Sequence, residues 1–216
     1  MRLRSRVLTA AALTMLALAT LSAHAREDQY GRPADRPQDA WENDRVRLTQ
    51  ISVAPGAAMP SGANRVLIHF TADADGRMPQ AAVWQPAGSV SVTNRGPSRL
   101  EAIAIELKDV GRRSGGTPPE VLDARYGVDV TPLVDNSQVL VARHRYAPGV
   151  NGGPLHAHPD DVILVYLRAG YAWPADAFLW PTRFRRGDIE IVPANTFHRL
   201  ANAGPDPLEM LVIVPR

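Results

Sequence analysis

The chain has 216 residues, 24 of them lysine or arginine and 22 aspartate or glutamate, for a formal charge of +2, and it has no cysteine. This near balance of charge predicts no basic surface for nucleic acid, and the lack of cysteine excludes disulfides and a lipid-modified cysteine. Without disulfides, the fold must be stabilised by core packing alone, and 216 residues are enough to form such a core.

The N-terminus has the pattern of a secretory signal peptide. Three arginines precede an apolar run from Val7 to Leu21, and Ala23-His24-Ala25 has the small-x-small form of a cleavage site. The run is short for a membrane span of about 20 residues, which disfavours the alternative of an uncleaved anchor. We expect residues 1–25 to be removed, leaving a periplasmic or secreted protein without a membrane span and with a formal charge of −1. The polar residues 26–40 predict a flexible lead-in.

The remainder of the chain predicts short strands. Its apolar runs are rich in Val, Ile and Leu and are bounded by Gly, Pro, Asn and Asp, which favours an all-β sandwich or barrel. The predicted strands are Arg65–Thr71, Ala81–Gln85, Glu101–Lys108, Val139–Tyr146, Val162–Arg168, Asp188–Val192 and Glu209–Val214.

The chain also repeats itself. Asn43 to Gly56 aligns without gaps on Asn136 to Gly149, and both segments close with Ala-Pro-Gly. Two further matches follow in the same order, Pro86-Ala87-Gly88 with Pro193-Ala194-Asn195 and Leu100-Glu101 with Leu208-Glu209. This pattern indicates an internal duplication.

The two predicted copies comprise residues 41–109 and 133–216. Residues 110–132 are expected to link them, because the stretch begins Gly-rich and charged. Within this linker, Pro118–Tyr126 is a candidate short helix.

Three histidines of the second copy have the spacing of a metal site. His156 and His158 stand at i and i+2, so on a strand they share a face, and His198 follows a proline turn on a later strand. Inside a small barrel the three side chains could meet.

This spacing resembles the two motifs of the cupin superfamily, G-x5-H-x-H-x3,4-E-x6-G and G-x5-P-x-G-x2-H-x3-N. From Gly187 to Asn202 the second motif matches at every position but one, where Asn195 stands for Gly. Asparagine is the other residue that tolerates the left-handed backbone of such a turn. Residues 41–216 also resemble small bacterial cupins of the beta-alanine-degradation type.

The resemblance implies two tandem cupin barrels, also called double-stranded β-helices or jelly rolls, with a degenerate N-terminal copy. In that copy Ala58 to Gly62 takes the place of the paired histidines, Ser91 takes the place of His198, and His69 corresponds to about Val165. The first barrel is therefore expected to be structural, or to form a lid or a dimer surface for the second. The resemblance further implies a homodimer through edge strands.

The predicted metal ligands are His156, His158 and His198. Neutral imidazoles bind divalent Fe, Mn, Ni, Cu and Zn, and we expect Fe or Mn. The motif's glutamate falls on Val162 or Ile163, so Asp161 is the candidate replacement, with a turn-capping role as its alternative. The alternative for the histidines is that they are exposed loop residues beside the barrel rim.

Other side chains of this half are candidates for contact with a ligand. Period-two alternation turns Tyr166 inward, as a proton donor or as a core residue. His69 and His144 are expected to be hydrogen-bonded strand or core residues. An aromatic cluster could line the pocket mouth or form an apolar plug, and an arginine group could meet an anion or lie on a solvated edge. The aromatic cluster is Tyr171, Trp173, Phe178 and Trp180, and the arginines are Arg183, Arg185 and Arg186.

Three functions remain open from the sequence. The first is a metal-dependent exported enzyme, dioxygenase-like or isomerase-like, that acts on a small organic molecule. The second is a non-catalytic cupin that binds a small ligand or a metal, and the third is an interaction protein with a vestigial pocket. No phosphate-binding Gly loop, dinucleotide fingerprint or G-x-S-x-G nucleophile occurs in the sequence, so phosphoryl transfer, nicotinamide chemistry and serine hydrolysis are disfavoured.

Overall fold

The computed structural model describes most of the chain beyond residue 40. The described residues are 41–59, 62–70, 82–89, 93–108, 124–174 and 181–216. The predicted signal peptide, the lead-in, Ser91 and most of the linker lie outside them. Ala124 and Arg125 are helical, and residues 118–123 of the candidate short helix are not described.

The described residues form thirteen strands. In chain order they are β1 (Trp41–Glu42), β2 (Val46–Val53), β3 (Arg65–His69), β4 (Ala82–Gln85), β5 (Leu100–Leu107), β6 (Asp129–Asp135), β7 (Val139–Tyr146), β8 (Val162–Tyr166), β9 (Gly170–Pro174), β10 (Thr182–Phe184), β11 (Ile189–Val192), β12 (Leu200–Asn202) and β13 (Leu208–Pro215). Within this part of the chain, no helix has the length and apolarity that crossing a bilayer requires.

The strands build two equivalent five-stranded sheets and one smaller sheet. The first sheet has the order β1-β2-β5-β3-β4, and the second has the order β6-β7-β13-β8-β11, with every pairing antiparallel. Each strand of the first sheet thus has a counterpart in the second. The third sheet, β10-β9-β12, belongs to the second copy. The structure confirms the all-β prediction and the tandem arrangement of two copies.

The turns that open the two copies are also equivalent. Oδ1 of Asn43 accepts hydrogen bonds from the backbone amides two and three residues later, at 2.8 and 2.9 Å. Oδ1 of Asn136 accepts from the equivalent amides at 2.8 and 3.0 Å. Gly56 and Gly149 close the aligned segments with φ of 77° and 74°, a left-handed conformation that favours glycine. The repeat seen in the sequence is therefore a repeat of backbone structure.

One strand begins inside the stretch predicted as linker. β6 starts at Asp129 and, among the described strands, lies at the edge of the second sheet beside β7. It contains Pro132, and its register shifts between Pro132 and Val134. Proline is tolerated at such an edge because the missing amide need not join the ladder.

The two large sheets pack back to back. Along β8, Ile163 and Val165 join a core that also contains residues of β2, β3 and β5 from the first copy. Val162, Leu164 and Tyr166 face the opposite way, into the interior of the second barrel. All five residues are buried because both faces of the strand are covered, and the sequence of the strand is accordingly a continuous apolar run. The smaller interior cluster of the first barrel comprises Val53, Met59, Leu67 and Ala104.

Candidate metal centre

The structure brings the three predicted histidines together at one end of the second barrel. His156 and His198 form an antiparallel bridge in which each amide donates to the other's carbonyl, at 2.9 and 2.7 Å. The ring centroids of His156 and His198 lie 4.6 Å apart, and the ring of His158 lies 4.8 and 4.9 Å from them. One ring nitrogen from each residue lies within 4.8 Å of the other two. Small ring rotations would bring all three to the bonding distance of one ion.

Hydrogen bonds already select the tautomer of two of these rings. Nδ1 of His156 donates to the carbonyl of Pro154 at 2.9 Å, and Nδ1 of His198 donates to the carbonyl of Thr196 at 2.9 Å. A carbonyl oxygen only accepts, so Nδ1 must carry the hydrogen in each case. The lone pair of the neutral ring is then on Nε2, the arrangement that metal-binding histidines use. The donor set therefore fits a divalent transition metal.

The turn before His198 adopts the conformation that the motif requires. Asn195 has a φ of 60°, which confirms the prediction that asparagine replaces glycine in a left-handed position. Its amide donates to the carbonyl of His158 at 2.6 Å. The turn is thus attached directly to the segment that carries the paired histidines.

Asp161 lies beside the three histidines without joining them. Its Oδ1 accepts from the amide of Ala194 at 2.8 Å, and its Oδ2 accepts from Nδ2 of Asn43 at 3.0 Å. Among the described residues, the converging group contains the three histidines alone. Through these two hydrogen bonds Asp161 caps the turn at Ala194, and its role as a fourth metal ligand stays a prediction.

Tyr166 is directed into the barrel, as the alternation predicts. Its side chain is fully buried, its ring stacks on Phe184 with centroids 3.9 Å apart, and its hydroxyl donates to Oε2 of Glu190 at 2.8 Å. Its action as a proton donor stays a prediction.

Glu190 is a residue that the sequence reasoning missed. On β11 it pairs with Leu164, whose side chain faces the barrel interior, while Ile189 and Ile191 face the core between the sheets. The sequence does contain a pattern that indicates this orientation. In the run Ile-Glu-Ile-Val a carboxylate alternates with isoleucines, so the two residue types face opposite sides of the strand.

In the first barrel, His69 takes the position of Tyr166. His69 pairs with Ala102 and Tyr166 pairs with Met210, each two residues after the aligned leucines of β5 and β13. The predicted counterpart, Val165, is one position away. Burial lowers the pKa of His69, and within the described residues its Nδ1 has no hydrogen-bond partner.

His144 also lies inside the second barrel, fully buried on β7 between Val130 and Met210.

A row of polar residues in the first barrel replaces apolar residues of the second. Arg47, Glu106, Arg65 and Gln85 face one another across four strands, and Nε of Arg65 donates to Oε1 of Gln85 at 2.6 Å. By the same register, Arg65 corresponds to Val162, where the motif expects its glutamate. A buried guanidinium at that position opposes a metal cation.

The remaining candidates lie at the rim. Arg183, Arg185 and Arg186 are exposed, and Arg186 donates to the carbonyl of Phe70 at 2.5 Å with its guanidinium 5.7 Å from that ring. Tyr171 is exposed, whereas Phe178 and Trp180 of the aromatic cluster lie outside the described residues.

Comparison with known proteins agrees with this architecture. Residues 142–214, nearly all of the second barrel, match the family model described as the cupin domain. The match covers the barrel that carries the three histidines and places that barrel in the cupin domain family. No curated protein sequence matches it.

Three solved structures resemble this chain. Salicylate 1,2-dioxygenase from Pseudaminobacter salicylatoxidans has 12% identity over 91% of this chain and 82% of its own, with a TM-score of 0.57. A mutant of that enzyme in complex with gentisate has 12% identity over 91% and 79%, with a TM-score of 0.58. A cupin domain from Bordetella pertussis Tohama I has 23% identity over 42% and 94%, with a TM-score of 0.38. At these identities the likeness to the dioxygenase shows the fold.

Proposed function

We propose that this cupin is an exported, metal-dependent enzyme whose second barrel holds one divalent ion through His156, His158 and His198. The observation that carries the proposal is the convergence of three imidazoles, two of which are already held in the Nε2 tautomer. When bound, the ion supplies Lewis acidity or redox chemistry toward a small organic molecule. We propose Fe or Mn as the ion, and three neutral nitrogen donors suit Ni, Cu and Zn as well.

The interior of the second barrel is largely apolar, and we propose that the substrate is small and largely apolar as well. Apolar side chains of β8, β11 and β13 line it, including Val162, Leu164, Val192 and Val212. Such a lining excludes water and strengthens the few polar interactions inside it. The related dioxygenase structure contains gentisate, which supports testing small phenols and aromatic acids here.

Tyr166 and Glu190 are the residues we assign to proton transfer. The phenol hydroxyl already donates to the carboxylate, so a proton can pass along this hydrogen bond without rearrangement of either side chain. Stacking on Phe184 holds the tyrosine ring in a fixed orientation. The reaction class supported by this arrangement is dioxygenase-like or isomerase-like.

A non-catalytic binding protein is the second candidate. It is favoured by the position of Asp161, which accepts hydrogen bonds from Ala194 and Asn43 and lies outside the converging group of three neutral donors. Such a site holds a hard cation less tightly than the family motif with its glutamate. A cupin of this kind would sequester a metal or a small ligand, and an interaction protein with a vestigial pocket would bind neither.

Metal content separates these functions. The mature protein and the variants His198→Ala and His69→Ala should be purified in parallel and analysed by elemental mass spectrometry. His69→Ala is the matched control, since this histidine lies in the first barrel. We expect metal in the parent and in the control, and its loss in His198→Ala. An equal metal content in the parent and in His198→Ala, or a parent without metal, contradicts the proposal.

Oxygen uptake then distinguishes the enzyme from the binding protein. The metal-loaded protein should be assayed with catechols, flavonoids, thiols and gentisate, with His198→Ala as the blank. Turnover that depends on His198 supports the enzyme, whereas retained metal with no turnover across the panel favours binding. Export and a homodimer complete the proposal, and they are tested by N-terminal sequencing of the periplasmic protein and by light scattering.

A further inference from the structure

A turn of the first barrel contacts the segment that follows the paired histidines of the second. Nδ2 of Asn43 donates to Oδ2 of Asp161 at 3.0 Å, between residues 118 positions apart in the chain. Next to this contact, Arg45 lies 3.9 Å from Asp160, and the two side chains are only 4% and 13% exposed. Asp160 and Asp161 are the second and third residues after His158, so the first barrel reaches almost to the metal ligands.

The contact continues from Asp161 to the turn before His198. Oδ1 of Asp161 accepts from the amide of Ala194 at 2.8 Å, and the next amide, that of Asn195, donates to the carbonyl of His158 at 2.6 Å. These hydrogen bonds form a connected set that joins both ligand-bearing segments. Asn43 is the member of that set contributed by the first barrel.

The second copy provides an internal comparison for Asn43. Asn136 closes the equivalent turn through its Oδ1, with the same two amides as donors. Within the described residues, no hydrogen bond of its Nδ2 joins the candidate site. The turn therefore needs only the oxygen of this side chain, and the amide nitrogen of Asn43 is available for a different role.

We propose that Asn43 and Asp161 are positioning residues, through which the first barrel preorganises the three-histidine centre of the second. The inference rests on the proposed metal site. Three neutral ligands on two separate segments bind an ion well only if those segments are already aligned, because ordering them during binding costs conformational entropy. Asp161 then serves the metal through Ala194 and the turn, as an outer hydrogen-bond acceptor and not as a ligand.

The test is a double-mutant cycle in the full mature chain. Asn43→Asp keeps the oxygen that closes the turn but replaces the donor with an oxygen that faces Asp161. Asp161→Asn removes the carboxylate but keeps an acceptor for Ala194. In the double variant the introduced amide can donate to the introduced carboxylate, so the hydrogen bond re-forms with its direction reversed.

Each single variant is expected to weaken metal binding about 10- to 100-fold, the range found for outer partners of metal ligands, and the double variant to recover most of the loss. Asn136→Asp is the matched control and should bind metal as the parent does. The single apo forms should unfold at lower urea concentrations than the parent, because each loses a hydrogen bond to a carboxylate, so metal affinity is compared without denaturant on forms shown to be folded. The ligand-field spectrum of the cobalt-loaded protein should change in the single variants and return in the double variant.

Two results would overturn the inference. Parent-like affinity in Asn43→Asp would show that the first barrel does not position the site, and a double variant as weak as Asp161→Asn would show that Asp161 binds the metal itself. A parent protein that binds no metal contradicts the proposed function instead. In that case the ring NMR signals of His158 and His198 in the metal-free protein decide the positioning role, since Asn43→Asp should shift them and Asn136→Asp should not.

Discussion

The part-buried hydrogen bond between Tyr166 and Glu190 provides a quantitative test of the barrel interior. Tyr166→Phe removes the hydroxyl that makes the 2.8 Å bond with the carboxylate and keeps the ring that stacks on Phe184. A hydrogen bond to a charged group contributes about 1.5–3 kcal/mol, and we expect Tyr166→Phe to lower the free energy of unfolding by about 2 kcal/mol. Glu190→Gln keeps an acceptor oxygen and should cost about 1 kcal/mol.

Urea denaturation of the apo protein, followed by tryptophan fluorescence, measures these values. Because the two side chains share one bond, the double variant should lose less than the sum of the single losses, with a coupling of about 1 kcal/mol. The exposed Tyr171 provides a control, since Tyr171→Phe should change stability by less than about 0.5 kcal/mol. Strictly additive losses, or a Tyr166→Phe variant as stable as the control, would refute the assignment of a coupled interior pair.

Three further predictions follow from the geometry. Asn195→Ala places an alanine at a φ of 60° and should lower the free energy of unfolding, measured by urea denaturation, by about 1–2 kcal/mol. Asn195→Gly should leave it nearly unchanged, and equal losses in the two variants would contradict the role of the left-handed backbone. Burial holds the pKa of His69 below its usual value of 6.5, so the unfolded chain takes up this proton more readily and the stability falls as the pH drops below 6.5. His69→Gln removes this titration and should lose less stability between pH 7.5 and 5.5 than the parent does. Hydrogen bonds from Arg47 and Lys108 hold the pKa of Glu42 at about 2, so Lys108→Met should raise that pKa toward its ordinary value in an NMR titration, and an unchanged value would contradict the ion pair.

Much of the sheet architecture could be predicted from local sequence. The predicted strand Val139–Tyr146 matches β7 at both ends, the predictions for β4 and β11 match at the last residue, and that for β5 is shifted by one residue. These strands contain β-branched and aliphatic residues between clear turn signals, so pattern and burial agree. The aligned Asn and Gly turns predicted the duplication because each residue type is needed for a specific backbone conformation.

The contacts that connect the elements could not be predicted in the same way. Asn43 and Asp161 meet across two barrels, and no local pattern specifies which polar residue of one turn faces another 118 positions away. β6 begins inside the predicted linker, which was inferred from its Gly-rich and charged start, and its proline and register shift leave only a weak local strand pattern.

In the candidate site too, local patterns could be predicted from the sequence, whereas contacts between distant residues could not. The spacing of His156, His158 and His198 predicted the cluster, although His156 and His198 meet in an isolated bridge outside the named strands. The role of Asp161 depended on which donors surround it, and Glu190 gained its significance only from its contact with Tyr166. The hydrogen-bond partners of these two carboxylates are determined by how the barrel packs, and no local sequence pattern specifies them.

Titration of the metal-free mature protein with Co(II), followed by its ligand-field absorption, tests the central claim most directly. The account predicts saturation at one ion per chain, with a spectrum of nitrogen ligation that disappears in His158→Ala and persists in His69→Ala. A parent protein without such a spectrum, or a spectrum that survives in His158→Ala, would contradict the assignment of a metal centre to these three histidines.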